Sequence, residues 1–196
     1  MIVLGLTGSI GMGKSTTAEL FREQGIAVFD ADQSVHELYH SGAFEAVSAR
    51  FPKAVRDGAI QRDILGRLVL NDPDAMADLE RIIHPLVVSA RTDFLRREQE
   101  KGSALVVVDI PLLFETKAWR DVDAVVVVSA SFDEQRRRVL SRPTMNEEKF
   151  SAILHRQLPD AEKRRRSHFT IKSDDGIESA RRQTHLLIAS LRQTDR

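Results

Sequence analysis

Gly8-Ser9-Ile10-Gly11-Met12-Gly13-Lys14-Ser15 constrains the fold of this chain more than any other stretch. It fits the phosphate-binding loop, with two glycines at the required spacing followed by Lys and Ser. Ile2-Val3-Leu4-Gly5-Leu6 before it reads as a short buried strand. Ser15 to Glu23 after it reads as a helix with Ala18, Leu20 and Phe21 as apolar contacts. That strand–loop–helix context is what the motif needs. The glycines let successive backbone N–H groups turn inward around a phosphate, and the helix N-terminus adds partial positive charge. Lys14 reaches the β/γ-phosphates, and the Ser15 hydroxyl suits Mg²⁺. The alternative is a glycine-rich turn that binds nothing, and the flanking elements weigh against it.

The rest of the chain alternates short apolar strands with amphipathic helices. Strands are expected at 2–6, 26–29, 104–108, 122–128 and 169–171. They are Val/Ile-rich with little polar alternation, as in a parallel sheet buried on both faces. The fold class is therefore α/β, a phosphate-loop core on a parallel five-stranded sheet with right-handed crossovers. The stretch between strands 2 and 3, about 33–103, is too long for one crossover and holds several helical segments. Asp57-Gly58 marks a turn inside it, and Asp72-Pro73 opens a further helix. It reads as a helical substrate-binding insertion in a single domain, 1–196, whose core is 1–32 and 104–196. Ser141-Arg142-Pro143-Thr144-Met145-Asn146 is short, polar and basic between two helices, which suits a lid over about 141–147.

Composition narrows the classes. The 196 residues carry 29 basic and 29 acidic side chains, so net charge points neither to nucleic acid nor to an anionic membrane. There is no cysteine, which removes disulfides, thiolate metal sites and a cysteine nucleophile, and fits a reducing compartment. No signal peptide is visible, and apolar runs such as Ala124 to Val128 are far too short to cross a bilayer. A cytosolic enzyme is the expectation. Composition is silent on oligomeric state.

Strand 2 ends in Asp30-Ala31-Asp32. Ligands of open α/β sheets gather beyond the carboxyl ends of the strands. Asp32 at that edge suits a base that accepts a proton from a hydroxyl, or a cap on a helix starting at Gln33. Position alone leaves both open. Strand 3 runs into Asp109, the place of the carboxylate that holds Mg²⁺ in phosphate-loop enzymes; otherwise it begins the Ile110-Pro111 turn. Arg138 and Arg142, four apart beside the lid, share a helical face if the helix continues through them; they suit stabilising a transferring phosphoryl group, or else form a solvated surface. His84 precedes Pro85 in a helical stretch and reads as structural or substrate-side. The run Lys163-Arg164-Arg165-Arg166 reads as a solvated helix face or as substrate-side arginines.

Together these pieces resemble the bacterial dephospho-coenzyme A kinases. The resemblance runs through Leu6 to Thr16, Phe29 to Asp32, Gly58 to Arg62 with Leu65, and Leu79 to Pro85. It continues through Asp109 to Glu115, Gln135, Arg138 and Arg142, and ends with Gln157 and Asp160 to Arg164. The Asp109-Ile110-Pro111-Leu112-Leu113-Phe114-Glu115 segment is far more specific than the phosphate loop. The resemblance implies ATP-dependent phosphorylation of the ribose 3′-hydroxyl of dephospho-CoA, with ATP and dephospho-CoA as substrates. It makes Asp32 the favoured base, gives ATP to Gly11–Thr16, makes Arg142 the lid arginine, and puts Arg62 and His84 on the acceptor side. His168 and Ser173 depart from the residues usual at their positions, which bears on adenine-side contacts. Rival readings are another small-molecule kinase of this fold, or a nucleotide-switched adaptor. A GTPase switch would carry an Asn/Thr-Lys-x-Asp tetrapeptide, and none occurs.

Overall fold

The computed structural model describes residues 1–70 and 72–193. Five strands form one parallel sheet. β1 (Ile2–Thr7) runs between β5 (Leu105–Asp109) and β6 (Ala124–Ser129), while β2 (Ala27–Asp30) borders β5 and β7 (Phe169–Lys172) borders β6. The runs Val106–Val108 and Val126–Val128 are entirely buried. A strand covered on both faces has no solvent side, which is why these segments lack polar alternation. The register aligns Leu6 with Asp109 and with Val126. The C-terminal ends of β1, β5 and β6 thus share one edge, and that edge carries the phosphate loop.

The chain forms two compact units, Met1–Phe29 with Glu98–Arg196, and Asp30–Arg97. In the first, one sheet face packs Leu4, Leu6, Val107, Val126 and Val128 against α1 (Lys14–Glu23) and α9 (Gly176–Gln193). Those helices contribute Ala18, Leu20, Phe21, Ala180, Leu187 and Leu191. Full burial of side chains such as Leu4 and Phe21 is worth about 1.5–3 kcal/mol each. The other face gathers Leu113, Phe114, Val125 and Val127, with Val122 and Leu158 beside them. α6 (Phe132–Leu140), α7 (Glu147–His155) and α8 (Asp160–Arg166) follow β6.

In the second unit, α2 (Ala31–Leu38), α3 (Phe44–Arg50), α4 (Arg62–Leu70) and much of α5 (Pro73–Glu100) enclose their own core of Tyr39, Val47, Phe51, Ile60, Leu65, Val69, Leu79 and Ile83. The expected turn at Asp57-Gly58 is present, and it joins a two-stranded hairpin, β3 (Val55–Arg56) and β4 (Ala59–Ile60), among the helices. Asp57 and Gly58 both have positive φ, 51° and 73°, as a tight two-residue hairpin turn demands. Asp72 opens α5 by accepting the N–H groups of Asp74 and Ala75. No helix among the described residues is long and apolar enough to cross a membrane.

Candidate active site

The phosphate loop leaves β1 at Gly8 and enters α1 through Gly13, whose φ of 89° is left-handed. Gly11 has φ 78°, and a Cβ there would lie 2.6 Å from Val139 Cγ2 and 2.9 Å from the Gln135 carbonyl oxygen. Neither position accepts a side chain without strain. No side chain caps α1, so the N–H groups of its first turn remain available to an anion. Several other peptide groups of the loop are held by side chains around it. Ile10 N–H donates to Gln157 Oε1 at 3.1 Å, and Gln135 Nε2 donates to the Ile10 carbonyl at 2.8 Å. Ser173 Oγ donates to the Met12 carbonyl at 2.8 Å, and the buried Met12 sulfur receives the Ala130 N–H. These hydrogen bonds tie the loop to Ala130 just after β6, to α6 and to the segments around Gln157 and Ser173.

Lys14 Nζ donates to Asp109 Oδ1 at 2.7 Å. Register explains the meeting: Asp109 ends β5 beside Leu6, and Lys14 opens the helix that begins after the loop. Ser15 and Thr16 are exposed in the first turn of α1.

Arg138 lies over the loop. Its Nη1 and Nη2 donate to Ser173 Oγ and the Ser173 carbonyl at 2.8 and 2.7 Å, and its Nε donates to Glu134 at 2.7 Å. Hydrogen bonds from Arg137 and then Arg138 hold the Glu134 carboxyl down at about 2. The Asp174 carboxyl also lies below its ordinary range, because it accepts the Ser131 N–H, at 2.6 Å. α6 ends at Leu140, so Arg142 lies beyond the helix and the shared helical face expected for Arg138 and Arg142 does not exist. A cavity brings them together instead. Gly11, Gly13, Thr16, Arg138, Arg142 and Ser173 line about 310 Å³. A second cavity, about 450 Å³, opens at Ser9, Met12, Gln135, Gln157 and Asp160.

The family model for dephospho-CoA kinase matches residues 2–179. The chain belongs to the dephospho-CoA kinase family. A dephospho-CoA kinase of Mesorhizobium japonicum is 52% identical over 192 residues, covering 98% of each chain. One of Rhodopseudomonas palustris is 51% identical over 183 residues, 93% of this chain and 92% of its own. Among solved structures, a Thermus thermophilus protein superposes with a TM-score of 0.86 at 32% identity, covering 96% of each chain. Shikimate kinase of Bacteroides thetaiotaomicron, at 14% identity and a TM-score of 0.52 over 96% of this chain and 98% of its own, shares the fold.

Membership of the dephospho-CoA kinase family directs attention to the remaining candidates. Asp32, Arg62 and His84 are exposed in the unit Asp30–Arg97. Asp30, not Asp32, caps α2: its carboxylate accepts the Gln33 N–H at 3.0 Å, and Asp32 stands in the first helical turn. Arg62 opens α4 and acts on Tyr39, whose phenol burial pushes up while the Arg62 charge opposes the shift. His84 sits within α5 before Pro85. His168 accepts the Val125 N–H and does not line the Arg138 cavity, whereas Ser173 does. The basic run is not a uniformly solvated face. Arg164 pairs with Asp160, Arg165 and Arg166 pair with Glu162, but Lys163 is wholly buried. Glu134 was legible through the rule that an acid four residues before a base pairs with it on a helix. Ser173 carried no such signal.

Proposed function

We propose that this chain transfers the γ-phosphoryl group of ATP to the ribose 3′-hydroxyl of dephospho-CoA, giving coenzyme A and ADP. Asp32 accepts the hydroxyl proton. The 3′-oxygen then bonds to the γ-phosphorus as the bond to the bridging oxygen of ADP breaks. The backbone N–H groups of Gly11–Thr16 hold the β-phosphate, and Lys14 turns from Asp109 toward the oxygens of the transferring group. Arg138, fixed by Glu134 and Ser173, and Arg142 offset the charge on those oxygens. Arg62 and His84 contact the acceptor.

Ser15 and Asp109 would hold Mg²⁺. The donor chemistry fits: one carboxylate and one hydroxyl are hard oxygen ligands, and Mg²⁺ in such sites takes its other ligands from phosphates and water. When bound, the ion neutralises charge on the β- and γ-phosphates. A lid over about 141–147 carries Arg142, in a single domain of core 1–32 and 104–196 with an acceptor insertion at about 33–103. A cytosolic location fits the cysteine-free chain.

The observation that carries phosphoryl transfer is the Lys14–Asp109 contact at the edge bearing the phosphate loop. The acceptor's identity rests on family membership over residues 2–179. The test is incubation of the pure protein with ATP, Mg²⁺ and dephospho-CoA, with mass spectrometry for CoA. CoA formation is expected. Phosphorylation of a nucleoside monophosphate or shikimate, without CoA, overturns the acceptor and leaves only the kinase class.

A further inference from the structure

Lys163, on α8, has no exposed surface. Its Nζ lies 2.9 Å from Glu115 Oε1 and donates to the Pro111 carbonyl at 3.4 Å. Glu115 Oε1 also accepts the Leu158 N–H at 2.7 Å, while the buried Oε2 has no hydrogen-bond partner among the described residues. Neither residue lines either cavity described above. A buried ion pair with an unsatisfied oxygen is a poor source of stability. Desolvating both charges costs as much as their attraction returns, and apolar side chains of similar volume often do as well or better.

Glu115 holds the Leu158 N–H and the Lys163 ammonium, and the ammonium in turn reaches the Pro111 carbonyl. The Pro111 oxygen also accepts the Thr7 hydroxyl at 2.9 Å, and Ile110 N–H donates to the Leu6 carbonyl at 3.0 Å. Thr7 immediately precedes Gly8, and Pro111 is two residues beyond Asp109. The end of β1 and the turn after Asp109 are therefore fastened by two hydrogen bonds, and Lys163 of α8 reaches the Pro111 oxygen that accepts one of them. We infer that Lys163 and Glu115 are positioning residues that fix the phosphate loop and Asp109 relative to each other through the Pro111 carbonyl. The inference rests on the reading of Asp109 as the metal-side carboxylate.

The test is the paired variant Lys163→Met with Glu115→Gln, which removes both charges, strands neither and keeps an amide oxygen to accept the Leu158 N–H. Its melting temperature should stay close to that of the wild type. Its kcat should fall about 10- to 100-fold, the scale of ångström-level misplacement. Half-maximal velocity should need more Mg²⁺, with the ATP KM little changed. Thr7→Val, which removes the other hydrogen bond to Pro111, should lower kcat in the same sense, and its effect should be less than additive with the paired variant. A folded paired variant with wild-type kcat and Mg²⁺ dependence overturns the inference. So does one whose activity falls only in step with its melting temperature, or full additivity with Thr7→Val. An Asp109→Asn control separates the two readings. If it keeps wild-type Mg²⁺ dependence, the metal role of Asp109 falls and takes the inference with it. If it is impaired while the paired variant is not, the inference alone falls.

Discussion

Lys14 Nζ lies 2.7 Å from Oδ1 of Asp109, a side chain only 1% exposed. The lysine therefore serves a buried carboxylate. Lys14→Ala should lower kcat by about 10²-fold or more through lost charge stabilisation of the transferring group. It should also destabilise the free protein by about 1.5–3 kcal/mol, the range for a hydrogen bond to a charged group. Paired kinetic and denaturant measurements check both; wild-type turnover removes the phosphate-loop assignment.

Asp32 and Asp30 should separate cleanly. Asp32→Asn should cost about 10²- to 10⁴-fold in kcat, as loss of a general base does. It should leave stability unchanged, because the cap of α2 belongs to Asp30. Asp30→Ala should cost about 1 kcal/mol of stability. A rate for Asp32→Asn within a few-fold of wild type would assign proton removal elsewhere.

Arg142→Ala should lower kcat and raise the ATP KM, since the side chain lines the cavity with Gly13 and Arg138. Arginines that stabilise a transferring phosphoryl group are worth about 10³–10⁵ in rate. If only the dephospho-CoA KM rises, Arg142 belongs to the acceptor.

Glu134 gives a pH prediction. Its carboxyl titrates at about 2 in the folded chain, against 4.5 for a free glutamate. Between those values the unfolded chain binds the proton and the folded one does not, so stability falls as pH falls. The Glu134 contribution is present above about pH 4.5 and lost as pH drops through 2. Wild type should lose stability across this window more steeply than Glu134→Gln, in denaturant titrations from pH 2 to 7. Equal slopes would mean that the Glu134–Arg137–Arg138 contacts do not persist in solution.

The sheet and the loop were legible because local signals agree with the tertiary outcome. Val106–Val108 and Val126–Val128 are apolar on both sides since both sides are covered, and Gly11 and Gly13 stand where the backbone takes positive φ. The cap of α2 was not legible. Asp30 and Asp32 are both good caps, and only backbone geometry decides which one stands in extended conformation at the helix start. Lys163 was hidden by its neighbours: three exposed arginines follow it, and its partner Glu115 lies on a distant segment with no periodicity linking the two. The hairpin at Asp57-Gly58 was half legible, because the turn was apparent but two-residue strands carry too little pattern to announce themselves.

The strand order has a consequence for how the chain is made. Its first strand is the middle of its sheet: Ile2 pairs with Leu105, and Leu4 with Ala124. At about 5–20 residues per second of synthesis, β1 leaves the ribosome roughly 5–20 s before either neighbour exists. The unit Asp30–Arg97 has its own core and emerges complete in that interval. Meanwhile an apolar segment with both edges open waits on the nascent chain, the state in which unpaired strands meet wrong partners. Translation that stalls before Leu105 leaves both edges of β1 open, so the period of greatest vulnerability to aggregation spans the first half of synthesis and ends only when β5 and then β6 are made.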